Sequence, residues 1–230
     1  MDIERILITV SVWIVPVLLA VTLHEAAHGW AAWKLGDDTA KRMGRVTFNP
    51  LAHIDPFGTV ILPGLLLLVS GGTTMFGFAK PVPVAFHRLN NVRRDMVLVA
   101  AAGPGTNILI ALASAMLVHA LPLLPGGQPQ EWVFSNILNS VWINCLLAVF
   151  NMIPLPPLDG GRVAVGILPR SLAMPLARLE HKGIFILLLL IFALPWIGDR
   201  IGFDLNVFPW LVGEPARYLS QMIFTAAGVR

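Results

Sequence analysis

From Ile6 to Leu23 the chain carries no ionisable side chain, and this run constrains the fold more than any other feature. Coiled as a helix it comes close to crossing the roughly 30 Å hydrocarbon core of a bilayer. The run ends directly on His24-Glu25-Ala26-Ala27-His28. On a continuing helix, the two imidazoles at i and i+4 share one face, where both reach a single Zn²⁺, and the intervening Glu projects nearby as a general base. Charged or metal-binding groups at membrane depth are costly enough to mark function.

The rest of the composition agrees with a membrane class. Of 230 residues, 56% are hydrophobic and 13% charged; soluble globules carry about 45–50% and 25%. The chain is long enough for about four to six spans with their loops. The net charge is +3, and most of the basic residues lie in loops beside apolar runs, which suits anionic lipid headgroups rather than nucleic acid. Cys145 is the single cysteine, so no intramolecular disulfide forms, and its apolar setting predicts a packing role. Asp2 and Glu4 spoil a positively charged leader, and Ile6–Leu23 exceeds the roughly 7–15 residue apolar region of a signal peptide, so the first span is expected to remain uncleaved.

The spacing predicts an all-α membrane protein, a multi-pass helical bundle with a small strand-containing cytoplasmic loop and a re-entrant hairpin. A first helix is expected over Arg5–Leu35, containing Pro16, followed by a polar stretch with a strand-like piece at Arg45–Phe48. Thr59–Val69 is apolar but short, and Pro63-Gly64 interrupts it. Lys41, Arg42 and Arg45 precede it, and Lys80, Arg88, Arg93 and Arg94 follow. A full crossing would put one basic loop on the wrong side, whereas a re-entrant hairpin would not.

In Phe76–Val84 alternating prolines block a helix and suit an edge strand, so Lys80–Val84 is a candidate edge for strand addition by an extended substrate. A second span is expected over Met96–Leu121, opening on Gly103-Pro104-Gly105-Thr106-Asn107. A third covers Trp132–Phe150 and a shorter fourth Ile184–Ile197. The tail from Asn206 reads as an interfacial amphipathic helix or a weak last span. One domain is expected over residues 1–230, with its core in 5–170 and a peripheral span and tail in 183–230. Trp132, Trp196 and Trp210 read as aromatic-belt anchors.

Loop charge brings the inner ends of the first and third spans to one leaflet, so Asp159, in Asn151-Met152-Ile153-Pro154-Leu155-Pro156-Pro157-Leu158-Asp159-Gly160-Gly161, can meet His24, Glu25 and His28. A catalytic zinc takes three protein ligands and keeps one position open. Asp159 is the best third donor, with Gly160-Gly161 allowing a sharp turn beside it. The same pattern also fits a turn aspartate capping the next helix, and the residues alone leave the two readings even.

HEAAHG at the end of a first span, Gly-Pro-Gly-Thr-Asn in another, and Asn-x-x-Pro-x-x-Pro-Leu-Asp-Gly-Gly together resemble the site-2 protease family of zinc intramembrane metalloproteases, in a short form without a PDZ domain. The resemblance covers residues 10–170. It implies His24, His28 and Asp159 as ligands of one Zn²⁺ per chain and Glu25 as catalytic base. Asn151, and secondarily Asn107, would be polar groups near the substrate carbonyl. It implies transmembrane or membrane-proximal protein substrates, regulated intramembrane proteolysis, and a prokaryotic inner membrane with the active site toward the cytoplasm.

His53 and Asp55 read either as supports of the site or as an interfacial turn, while His87, His119 and His181 read as interfacial or structural. An ion or proton transporter built on the same His, Glu and Asp cluster would need matching broken helices in two halves, and none is visible. A membrane di-iron oxygenase would need about eight clustered histidines, against two at helical spacing here.

Overall fold

The structure is a computed structural model that describes residues 3–69 and 77–229. The first helix, α1 (Ile3–Lys34), holds Pro16 inside it and runs through the HEAAH segment. A short α2 (Thr39–Arg42) follows. Next come a 3₁₀ turn at Pro50–His53, a π-type turn at Pro56–Ile61 and α3 (Leu62–Val69). The main bundle partners of α1 are α4 (Val92–Met116), extended by a 3₁₀ turn over Leu117–Leu123, and α5 (Gln128–Asn151). Beyond them lie α6 (Asp159–Ile167), α7 (Arg170–Ala177), and α8 (Glu180–Leu188), which runs through a π-type turn into α9 (Leu194–Ile201). Last comes α10 (Glu214–Ala226).

Among the described residues four helices are long and apolar enough to cross a membrane: Leu7–Lys34, Val92–Leu123, Gln128–Asn151 and Glu180–Ile201. These match the four expected spans, each within a few residues at its ends. In lipid there is no hydrophobic drive between helices, so association depends on close packing of small residues and on buried hydrogen bonds. The contacts follow that rule. Ala111 and Ala115 of α4 meet Val141 and Cys145 of α5, with Ala216 and Ile223 of α10 closing the cluster. Cys145 is fully buried there, as a packing residue. The tail therefore supplies a short helix whose apolar side lies against α4 and α5.

The structure corrects three expectations. Among the described residues there is no β-strand, at Arg45–Phe48 or in the segment before Phe86. Pro81 and Pro83 have no N–H for a ladder, and four other amides of the segment are taken by unlike partners. Phe78 N donates to Gly58 O, Lys80 N to His53 O, Val82 N to Glu25 Oε2, and Ala85 N to Asp37 Oδ2. Phe76 lies outside the described residues, as does whatever follows α3 up to that point, so of the expected hairpin only one helical arm is described.

The second correction concerns Gly103-Pro104-Gly105-Thr106-Asn107, which sits in the middle of α4. That helix starts earlier because Asn91 caps it, accepting from Arg94 N. The third concerns Gly160-Gly161, which belongs to α6 with ordinary negative φ. Cβ atoms there would collide with the Met152–Pro156 backbone, so the glycines serve close approach and not a turn.

Candidate metal centre

One helical turn of α1 places His24 and His28 one above the other, as i, i+4 spacing requires. Their rings meet edge to face, with centroids 4.7 Å apart. The Pro-rich break after α5 brings Asp159, the first residue of α6, onto the same point. His24 Nε2 lies 3.0 Å from His28 Nε2. Asp159 Oδ2 lies 3.2 Å from the first and 3.3 Å from the second. All three residues are buried. Asp159 therefore faces the imidazoles instead of capping α6.

The outward ring nitrogens define the protonation pattern. His28 Nδ1 lies 2.7 Å from the carbonyl of Val99, which can only accept. His24 Nδ1 lies 2.6 Å from Asn107 Oδ1, and Asn107 spends its own N–H groups on Asn144 Oδ1 and Ala20 O. Both Nδ1 atoms therefore carry the proton in the neutral rings, and both Nε2 atoms turn lone pairs inward. Asp159 Oδ2 is buried without a hydrogen-bond partner of its own.

Three converging acceptors with no donor between them are costly to bury unless a cation sits among them. Zinc–ligand bonds of 2.0–2.1 Å in a tetrahedron put donor atoms about 3.3 Å apart, close to the triangle seen here. His24, His28 and Asp159 are thus a group that could hold a metal ion, and the donor set fits zinc.

Gly103 lets α4 come this close. A Cβ there would fall inside van der Waals contact of His28 Nε2 and His24 Cε1. The Val99 carbonyl and Asn107 lie one turn to either side on the same helix, so α4 supplies both the clearance and the outer hydrogen bonds of the two rings.

A cavity of about 490 Å³ opens beside the three residues. Glu25 and Asn151 line it, together with Phe78, Val82 and Arg162. Glu25 Oε2 accepts from Val82 N at 2.7 Å. Asn151 donates back to Leu147 O, four residues earlier on α5. Arg162 stands one turn after Asp159 on α6, paired to Glu180 at 3.3 Å and 5.2 Å from the Phe86 ring centroid.

The cavity wall is fastened from below by the loop that follows α1. Arg45, itself buried, donates to Lys80 O at 2.7 Å. His53 is buried with its Nε2 3.2 Å from Thr47 O, and Asp55 caps the Pro56 turn by accepting from Phe57 N and Gly58 N. Neither His53 nor Asp55 lines the cavity; both hold the loop. At the other end Asp37 receives Ala85 N, Thr39 N and Thr39 Oγ1. Burial would raise the Asp37 carboxyl, but these hydrogen bonds outweigh it and hold it below the usual carboxylate range.

Sequence reasoning identified His24, Glu25, His28, Asp159, Asn151 and Asn107, and the structure brings them to one region. It missed Gly103 as clearance, the Val82 amide, Arg162 and Asn144. Only Arg162 left a sequence signal, its i+3 spacing from Asp159.

The comparisons with known proteins point the same way. The model of peptidase family M50 matches residues 124–194. A Bacillus subtilis protein named "Putative zinc metalloprotease YwhC" is 38% identical over 190 residues, covering 79% of this chain and 80% of its own. Rip2 of Mycolicibacterium smegmatis, which bears the same zinc metalloprotease description, is 31% identical over 62% of this chain and 52% of its own. A third, MJ0611 of Methanocaldococcus jannaschii, is 35% identical over 45% of this chain and 49% of its own. The chain thus spans about half the length of the last two. No solved structure matches it. With the YwhC match extending over four-fifths of both sequences, the chain belongs to peptidase family M50, the site-2 proteases, and is a membrane metalloprotease.

Proposed function

We propose that this chain is a zinc-dependent intramembrane endopeptidase. One Zn²⁺ would be held by His24, His28 and Asp159, within a single domain. It would cleave transmembrane or membrane-proximal protein substrates in regulated intramembrane proteolysis, near the cytoplasmic face of a prokaryotic cell membrane. The observation that carries this reading is the buried triangle of three acceptor atoms, with both imidazole tautomers set from outside.

A bound zinc supplies Lewis acidity toward the scissile carbonyl and brings the pKa of its water to about 7. Glu25, facing the same cavity, takes a proton from the attacking water and hands it to the leaving amine. Asn151 uses one amide hydrogen on Leu147 O, which leaves a second for the developing oxyanion. The substrate enters as extended peptide, because helical carbonyls are occupied by their own i→i+4 bonds. It lies against the wall that Phe78 and Val82 provide.

The test compares purified wild type with His24→Ala and Glu25→Gln. We expect about one zinc per wild-type chain, loss of metal from His24→Ala, and Glu25→Gln that keeps zinc while losing cleavage of a membrane substrate. Full cleavage by Glu25→Gln overturns the base assignment, and wild-type metal content in His24→Ala overturns the ligand set. Membrane fragments that accumulate in cells carrying Glu25→Gln then identify the substrates.

A further inference from the structure

Asn144, on α5, touches neither the cavity nor the three acceptor atoms, yet it is fully buried and hydrogen-bonded to a residue that does touch the site. Its Nδ2 donates to the Ser140 carbonyl at 2.9 Å. A main-chain carbonyl can only accept, so this bond fixes which end of the Asn144 amide is nitrogen. Its Oδ1 must then face Asn107, whose Nδ2 donates to it at 2.7 Å. Asn107 in turn must present Oδ1 to His24, 2.6 Å from Nδ1. A direction set by one carbonyl is thereby passed through two amides to an imidazole.

We infer that Asn144 is a positioning residue for the metal centre: by fixing the orientation of the Asn107 amide it fixes the tautomer of His24. This rests on His24 being a ligand, as proposed above. If the Asn107 amide turned over, its nitrogen would face His24 Nδ1, and the ring proton would be driven to Nε2, the atom that must offer a lone pair. The Asn107 amide nitrogen also meets Ala20 O, which at 3.3 Å is long for a hydrogen bond. The 2.7 Å bond to Asn144 is therefore the stronger hold. No apolar residue at position 144 can replace it, because the buried Asn107 N–H would be left without an acceptor.

The polar chain does not stop at Asn144. Ser140 Oγ lies 2.7 Å from Ser114 Oγ, so α4 and α5 are joined by a second hydrogen bond one turn away. That pair keeps the helices apposed when Asn144 is changed, which makes the test practicable.

The experiment measures zinc affinity by chelator competition, and the visible bands of the Co²⁺-loaded protein, for detergent-purified full-length chains. Asn144→Leu is expected to bind zinc 10- to 100-fold more weakly, with altered Co²⁺ bands. Asn144→Asp, protonated at this depth, keeps an acceptor for Asn107 and a donor for Ser140 O, and is expected to stay within about threefold of wild type. Cys145→Ala, a neighbouring core change outside the chain of amides, is expected to match wild type.

The inference is overturned if Asn144→Leu matches wild type in both readouts, if Asn144→Asp is weakened as much as Asn144→Leu, or if Cys145→Ala weakens binding equally. Should Asn144→Leu fail to fold, Asn144→Ala against Asn144→Asp carries the same expectations. His24→Ala separates the two readings. Unchanged metal binding there removes the ligand assignment and this inference together, whereas metal lost from His24→Ala but retained by Asn144→Leu removes this inference alone.

Discussion

Glu25 Oε2 accepts the backbone N–H of Val82, and Val82 is the one residue of Pro81-Val82-Pro83 with an N–H to give. The carboxylate at the centre of the HEAAH motif is thus oriented by a segment remote in sequence. A charge-assisted bond of this kind is stronger than a neutral one.

Replacing Val82 with Pro deletes that donor. Bonds to charged groups contribute about 1.5–3 kcal/mol, so the turnover number should fall by about 10- to 100-fold while zinc content stays at the wild-type level. Steady-state cleavage assays paired with metal analysis check this; a parallel loss of zinc would mean that the segment supports the ligands instead of Glu25.

Gly103→Ala puts a methyl group against both imidazoles. Overpacking of this kind costs about 1–3 kcal/mol, and here the displaced rings are those proposed to hold the metal. The expected result is reduced zinc occupancy with the bundle intact, read by metal analysis and thermal unfolding. Gly105→Ala, where no atom lies within reach of an added Cβ, should leave occupancy unchanged.

Asn151 separates two roles by kinetics. If its free amide hydrogen meets the oxyanion, Asn151→Ala lowers the turnover number about 10²- to 10³-fold with little change in KM. If it only closes the end of α5 through Leu147 O, stability falls and turnover per folded molecule does not.

Asp37 predicts a local pH dependence. Its folded-state pKa is depressed, so its contribution is complete at neutral pH and is lost as pH falls below about 4, through the folded value. Amide exchange at Ala85 and Thr39, the two backbone donors to Asp37, taken relative to the intrinsic rate at each pH, should accelerate over that range in wild type. In Asp37→Asn it should be fast already at neutral pH. Equal protection in the two proteins at pH 7 contradicts the assignment.

The spans and the His24–His28 pair were legible because each is a local periodicity: apolar length for one, 3.6-residue spacing for the other. Asp159 needed more, since loop charge could bring it to the right leaflet but not decide between ligand and cap. The prolines at 81 and 83 were legible as helix breakers and misleading as strand formers, because a strand requires a partner and the neighbours here are carboxylates and turn carbonyls. Gly103 was read as the opening of a helix, though its role depends on two rings of α1 arriving against it. Asn144 left no trace in one sequence, since an amide relay exists only once α4 and α5 are side by side.

The centre draws its inward atoms from the two ends of a long stretch of chain, with α4 and α5 threaded between them. During translation the imidazole pair is therefore inserted well before the carboxylate that completes it, at a time when neither Gly103 nor Asn107 is yet alongside. Until α6 is in place a partly made chain presents at most two of the three converging atoms, so the proposed metal site is complete only once Asp159 has joined His24 and His28.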